Sequence, residues 1–123
     1  MFVEGCIELS GELQSLMNFN KACNGYGFYQ LFLECSALKS IKNLSINATQ
    51  LNESCYHSLF QKCNNLIEIC EKLPANSLKS SCYAYMFDGC TSLKYTPLLP
   101  AKILAYSCYE GMFRDCLKLI CNP

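Results

Sequence analysis

The sequence predicts an α/β repeat solenoid, with short helices along one side and a narrow parallel β-sheet along the other. Three observations predict it: a motif that recurs four times, a helical spacing of apolar residues inside each copy, and a brief apolar–polar alternation between copies. The motif is C-Y-x-x-[LM]-F-x-x-C-x-x-L, with a leucine four residues ahead of it. Its full copies run through Leu51, Cys55, Tyr56, Leu59, Phe60, Cys63 and Leu66; through Leu78, Cys82, Tyr83, Met86, Phe87, Cys90 and Leu93; and through Leu104, Cys108, Tyr109, Met112, Phe113, Cys116 and Leu119. An earlier copy is degenerate, with Gly27 and Phe28 in place of Cys-Tyr, followed by Leu31, Phe32, Cys35 and Leu38.

Each full copy is preceded by a lead-in, Ile46-Asn47-Ala48, Leu73-Pro74-Ala75 or Leu99-Pro100-Ala101, always 20 positions before the final leucine. The connection to the next lead-in shortens from 8 to 7 to 6 residues, so length varies only in the linker and the period is 26 to 28. A unit of this size buries its apolar face only by stacking on its neighbours. The expected organisation is an irregular N-terminal segment, 1–24, and four stacked repeats over 25–123, the last of them uncapped.

Within a copy, Leu78, Cys82 and Met86 fall at i, i+4 and i+8, with Tyr83, Phe87 and Cys90 on the adjoining positions. That spacing predicts one short helix per repeat, capped at its start by Asn76 or Ser77 and ended with the help of Gly89. The linkers Leu66–Cys70 and Leu93–Pro97 alternate briefly and predict the rungs of the sheet.

These residues resemble the BspA-like, or Treponema-type, leucine-rich repeats of the variety L-P-A-x-x-L-x-x-x-C-Y-x-x-M-F-x-G-C-x-S-L. The segment 73–93 matches every specified position, and the resemblance covers roughly residues 25 to 123. It implies a leucine-rich-repeat solenoid of the kind common in bacterial surface adhesins and host-interaction proteins, and found in phage and in surface proteins of some protist parasites. It implies no catalytic residues. Departures from the pattern are Asn47 for proline, Arg114-Asp115 for x-Gly, and the missing Cys-Tyr of the first copy.

The 51% hydrophobic content is ample for a core. Ten basic residues balance ten acidic ones with no basic run, which excludes a phosphate-neutralising surface and hence nucleic acid as a partner. The longest apolar stretches, such as 98–104, contain prolines and a lysine and fall short of the roughly 20 residues of a membrane span. The first nine residues carry Glu4 and Glu8 and do not form a signal peptide. The expected location is the cell surface or extracellular space as part of a longer parent, or the cell interior if the chain is complete.

Eleven cysteines invite a disulfide reading. Cys82 and Cys90, eight residues apart, would lie about 12 Å apart on a helix, whereas bridged cysteines need Cα atoms within about 7 Å. The repeat cysteines are expected to be buried free thiols, a cysteine ladder. Cys6, Cys23, Cys70 and Cys121 are the better candidates for a bridge. No close Cys pair with a second Cys pair or paired histidines is present, so no metal site and no cofactor is expected. His57 follows Cys55 by two residues, but Cys55 is a repeat position and His57 a variable, solvent-facing one, so a Cys–His nucleophile is not expected. The tyrosine and phenylalanine ladder is expected in the core. Asn43, Asn47 and Asn52 stand in N-glycosylation sequons, which carry meaning only in a secreted eukaryotic protein.

Function is therefore expected on the exposed rung side chains, with Lys42, Glu68, Glu71, Lys94 and Tyr95 as candidate binding residues for a protein or glycan ligand. The expected activity is non-catalytic binding, for adhesion or partner interaction; the alternative is a structural spacer or assembly segment of a larger surface or virion protein. The uncapped last repeat is expected to self-associate.

Overall fold

The structure is a computed structural model, and it describes residues 8–13 and 26–120. Of the four cysteines singled out for a bridge, Cys6, Cys23 and Cys121 lie outside the described residues; Cys70 is buried and free. The copies do stack on one another, but the elements that stack are not those expected. Among the described residues there is no helix, and the regular strands are two, β1 (Glu8–Glu12) and β2 (Ser40–Ser45), paired in parallel with a register shift between Glu8 and Ser10. The expected α/β leucine-rich-repeat solenoid with short helices is therefore not the fold. In place of the expected narrow rung sheet, the remaining linkers meet through isolated parallel bridges, Ser40 with Glu68, Lys72 with Leu98 and Ser77 with Ile103.

Where helices were expected, each copy forms a ribbon of consecutive turns over 26–34, 53–62, 80–89 and 106–115. Its backbone splits its amides into two sets. In the second full copy, Cys82, Ala84, Met86 and Asp88 donate three residues back along the chain, to the carbonyls of Lys79, Ser81, Tyr83 and Tyr85. The intervening amides of Ser81, Tyr83, Tyr85, Phe87 and Gly89 donate across to the next copy, to the carbonyls of Tyr106, Cys108, Glu110, Met112 and Arg114. The same alternation joins 26–34 to 53–61 and 54–62 to 80–88. Half of each ribbon's donors thus need a neighbouring copy, and a lone copy would leave them unpaired.

The four-residue period explains why the apolar spacing looked helical. At 3.6 residues per turn, a position repeated every fourth residue drifts by about 40° per step and leaves the buried face within three steps. In the second copy the series Leu78, Cys82, Met86, Cys90 stays buried throughout, which a repeat of four residues per turn allows and a straight helix does not. The cost is left-handed backbone at every fourth residue: Ser54, Ser58 and Lys62, then Ser81, Tyr85 and Gly89, with φ from 53° to 77°. Asn76 and Ser77 cap no helix, and Gly89 closes a ribbon at one of these positive-φ positions.

Burial of aromatic rings between copies drives the stacking. Phe28, Tyr56, Tyr83 and Tyr109 form one column, with ring centroids 5.6, 5.9 and 6.1 Å apart and planes within 12° of parallel. Phe32, Phe60, Phe87 and Phe113 form a second at 5.4, 5.7 and 5.7 Å. These are offset stacks, the favourable arrangement for parallel rings. The columns are buried through Tyr83 and Phe87 and become half-exposed at Tyr109 and Phe113.

Candidate functional site

The cysteines are the side chains with the most latent chemistry. Among the described residues the eight cysteines form no disulfide, and seven of them are buried. The Sγ–H groups of Cys63, Cys90 and Cys116 donate to the carbonyls of Phe32, Phe60 and Phe87 in the preceding copy, at 3.1, 3.2 and 3.1 Å. Each of those carbonyls also accepts the amide three residues on. Cysteine at this position is therefore a small hydrophobe that fills a carbonyl's second lone pair, a task neither alanine nor valine performs. Burial pushes the thiols of Cys63 and Cys82 up to about 12 and those of Cys70 and Cys116 up to about 11. A thiol that keeps its proton is neither a nucleophile nor a metal ligand.

His57 is half-buried, not solvent-facing as its variability suggested. Its ring sits between those of Tyr29, at 5.0 Å, and Tyr85, at 5.5 Å, and its Nδ1 lies 2.7 Å from Ser58 Oγ. Desolvation lowers its pKa, partly offset by the Glu110 carboxylate, so the ring is neutral at pH 7. Ser58 is only 2% exposed and Cys55 is fully buried, so neither can meet a substrate beside this histidine. Arg114 continues the column: its guanidinium lies 5.0 Å over the Tyr85 ring and grips the Asp88 carboxylate through Nε at 3.0 Å and Nη2 at 2.8 Å. Gln61 donates to the same carboxylate at 2.7 Å. Desolvation raises the Asp88 carboxyl, but the hydrogen bonds from Arg114 and Gln61 outweigh it and hold the group below its ordinary range. This wall ties neighbouring copies together.

The linker side is built differently. Ile41 and Leu44 of β2 point into the core, leaving Lys42 and Asn43 exposed. Asn43 Nδ2 reaches Glu8 on β1 at 3.0 Å, and Lys42 Nζ lies 3.6 Å from Glu68 Oε2 on the next rung. Lys42, Glu68, Lys94 and Tyr95, four of the five candidate residues, come together with Ile67 and Ile69 around a shallow depression of about 390 Å³. The fifth, Glu71, lines an adjoining depression of about 370 Å³ with Lys72, Pro74 and Asn47, and Lys42 borders both. Ile67 and Tyr95 are exposed large apolar groups here. Ile67 and Ile69 were not among the expected residues, although, spaced two apart in the alternating stretch 66–70, they share one side of an extended segment. Asn52, one of the sequon asparagines, lines a third polar depression with Gln50, Ser77 and Lys79.

Comparison with protein-family models, with curated proteins and with solved structures finds no match. The resemblance to BspA-like repeats stands on the recurring motif alone. The linker face has opposite charges on successive rungs, a tyrosine and an apolar floor, held on backbone that hydrogen bonds fix from copy to copy. Exposed ion pairs of this type contribute at most about 1 kcal/mol to stability. Such groups can therefore exchange partners when a ligand arrives. No helix of the described residues is long and apolar enough to cross a membrane.

Proposed function

We propose that the chain is a non-catalytic binding module that engages a protein or glycan through its linker face, as part of a cell-surface adhesion or partner-interaction protein. The observation that carries this reading is the convergence of Lys42, Glu68, Lys94 and Tyr95 on one depression, from three successive rungs. Lysine and glutamate supply donors and acceptors, and the tyrosine supplies a flat apolar surface with a polar end, the combination that binds sugars and peptide backbones alike. The motif resemblance to repeats of surface adhesins supports the same reading at the level of sequence. A structural spacer is the second reading, favoured by the backbone hydrogen bonds that tie each copy to the next.

The test is binding of the purified chain to glycan and extracellular-protein arrays, beside a K42E/K94E/Y95A variant. All three side chains are exposed, so the variant should keep the wild-type circular dichroism spectrum and melting temperature. The expected result is binding by the wild type that falls by about tenfold or more in the variant, a loss of about 1.4 kcal/mol. No binding by the wild type, or equal binding by both, leaves the spacer reading in its place.

A further inference from the structure

The seams between copies are not alike. Between the second and third full copies the lead-ins are joined by main-chain bonds: the amides of Leu73 and Leu78 donate to the carbonyls of Leu98 and Ile103, that of Leu98 to Glu71, and those of Lys102 and Ile103 to Asn76. Between the first and second full copies the corresponding stretches are 42–52 and 69–79, and among the described residues no backbone hydrogen bond joins them. The counterparts of the Leu78–Ile103 and Ile103–Asn76 bonds would run from Leu51 to Ser77 and from Ser77 to Thr49, and neither forms. The ribbons 54–62 and 80–88 beside this seam stay laced, so the copies remain stacked where their lead-ins are not joined.

This seam lies inside the stack, and it departs from the others in sequence too. Its lead-in is Ile46-Asn47-Ala48, where the other two full copies have Leu-Pro-Ala. Two depressions follow one another along it. The first, of about 370 Å³, has Lys42, Ser45, Asn47, Glu71 and Lys72 in its wall, and the second, of about 350 Å³, has Thr49, Gln50, Asn52, Ser77 and Lys79. Three lysines less one glutamate leave the seam with a charge of +2, in a chain whose formal charge is zero. The other polar side chains are hydroxyls and amides. None of the exposed large apolar side chains lines either depression, so the seam lacks the apolar or aromatic anchor pocket on which peptide binding depends.

We propose that this seam binds an acidic oligosaccharide, one whose sugar rings carry carboxylates. The three ammonium groups meet the carboxylates, and the serine, threonine, asparagine and glutamine side chains exchange hydrogen bonds with the ring hydroxyls. Main-chain groups that pair with each other in the next seam line this one as well. The seam shares only Lys42 with the depression around Tyr95, so either proposal can fail alone.

The probe is tetragalacturonic acid, titrated at low salt into the isotopically labelled full chain while amide chemical shifts are followed, because exposed charges are least screened there. The acid should shift amides in 42–52 and 69–79 and leave those of the ribbon 106–115 in place. Its methyl ester keeps the sugars without the charges, and tetraglutamate keeps the charges without the sugars. Each should bind weaker by about tenfold or more. A K72E/K79E variant, changed at two exposed side chains, should keep the wild-type melting temperature and lose affinity for the acid by about tenfold or more. A K94E/Y95A variant should bind the acid as the wild type does. No shifts, shifts confined to other surfaces, equal binding of the ester or of tetraglutamate, or unchanged binding by K72E/K79E would each overturn the proposal.

Discussion

Single residues show how closely the copies depend on each other. Gly111 has φ +59°, and a Cβ there would sit on Tyr85 Cε1 and 2.6 Å from Cδ1. Gly111→Ala should therefore push the Tyr85 ring out from between His57 and Arg114 and destabilise the chain by about 1–3 kcal/mol. Urea denaturation would show it. Arg114 is read through Asp88. A carboxyl held below its ordinary 3.8 in the folded chain adds stability that is present above that value and lost as pH falls through the folded one. Arg114→Ala should lower the melting temperature at pH 7, with the difference shrinking as pH falls below 3.8 and through the lower range in which the folded Asp88 carboxyl takes up its proton. A difference that stays constant down to acid pH would mean that Arg114 acts through packing on Tyr85 instead.

At the scale of the element, the ribbon's left-handed positions are its weak points, because a non-glycine residue there costs about 1–2 kcal/mol. Gln30, with φ 55°, occupies the slot that is Gly111 in the last copy. Gln30→Gly should raise stability by about 0.5–1 kcal/mol, and Gln30→Val, which puts a β-branched side chain in that conformation, should lower it by about 1 kcal/mol or more. The unit length, the inward face and the aromatic columns were legible in the sequence, because burial fixes them whatever the backbone does. The backbone was not, because i, i+4, i+8 over one copy fits a helix as well as a four-residue ribbon. The distinguishing signal is the fourth term: Cys63, Cys90 and Cys116 continue the series without drift. Serine at 54, 58, 81 and 107 and glycine at 89 and 111 mark the positive-φ slots, but Gln30, Lys62 and Tyr85 share those slots and blur the pattern.

For the whole molecule, the ribbon changes what the surface offers. Packed helices satisfy their own amides and stack through side chains alone, whereas these ribbons are joined by five backbone bonds at each interface. That holds linker residues from successive copies at one rung spacing, which is why Lys42 and Glu68 pair and why Lys94 and Tyr95 join their depression. The face was legible as a set of exposed rung residues. That Glu71 lines a neighbouring depression, which of the other four only Lys42 borders, was not. The most direct test of the account is a trans-hydrogen-bond scalar coupling experiment on the labelled chain. The ribbon predicts cross-peaks from the Tyr83 amide to the Cys108 carbonyl and from the Phe87 amide to the Met112 carbonyl. Cross-peaks from the Phe87 amide to the Tyr83 carbonyl, four residues back, would restore the helix and contradict the fold described.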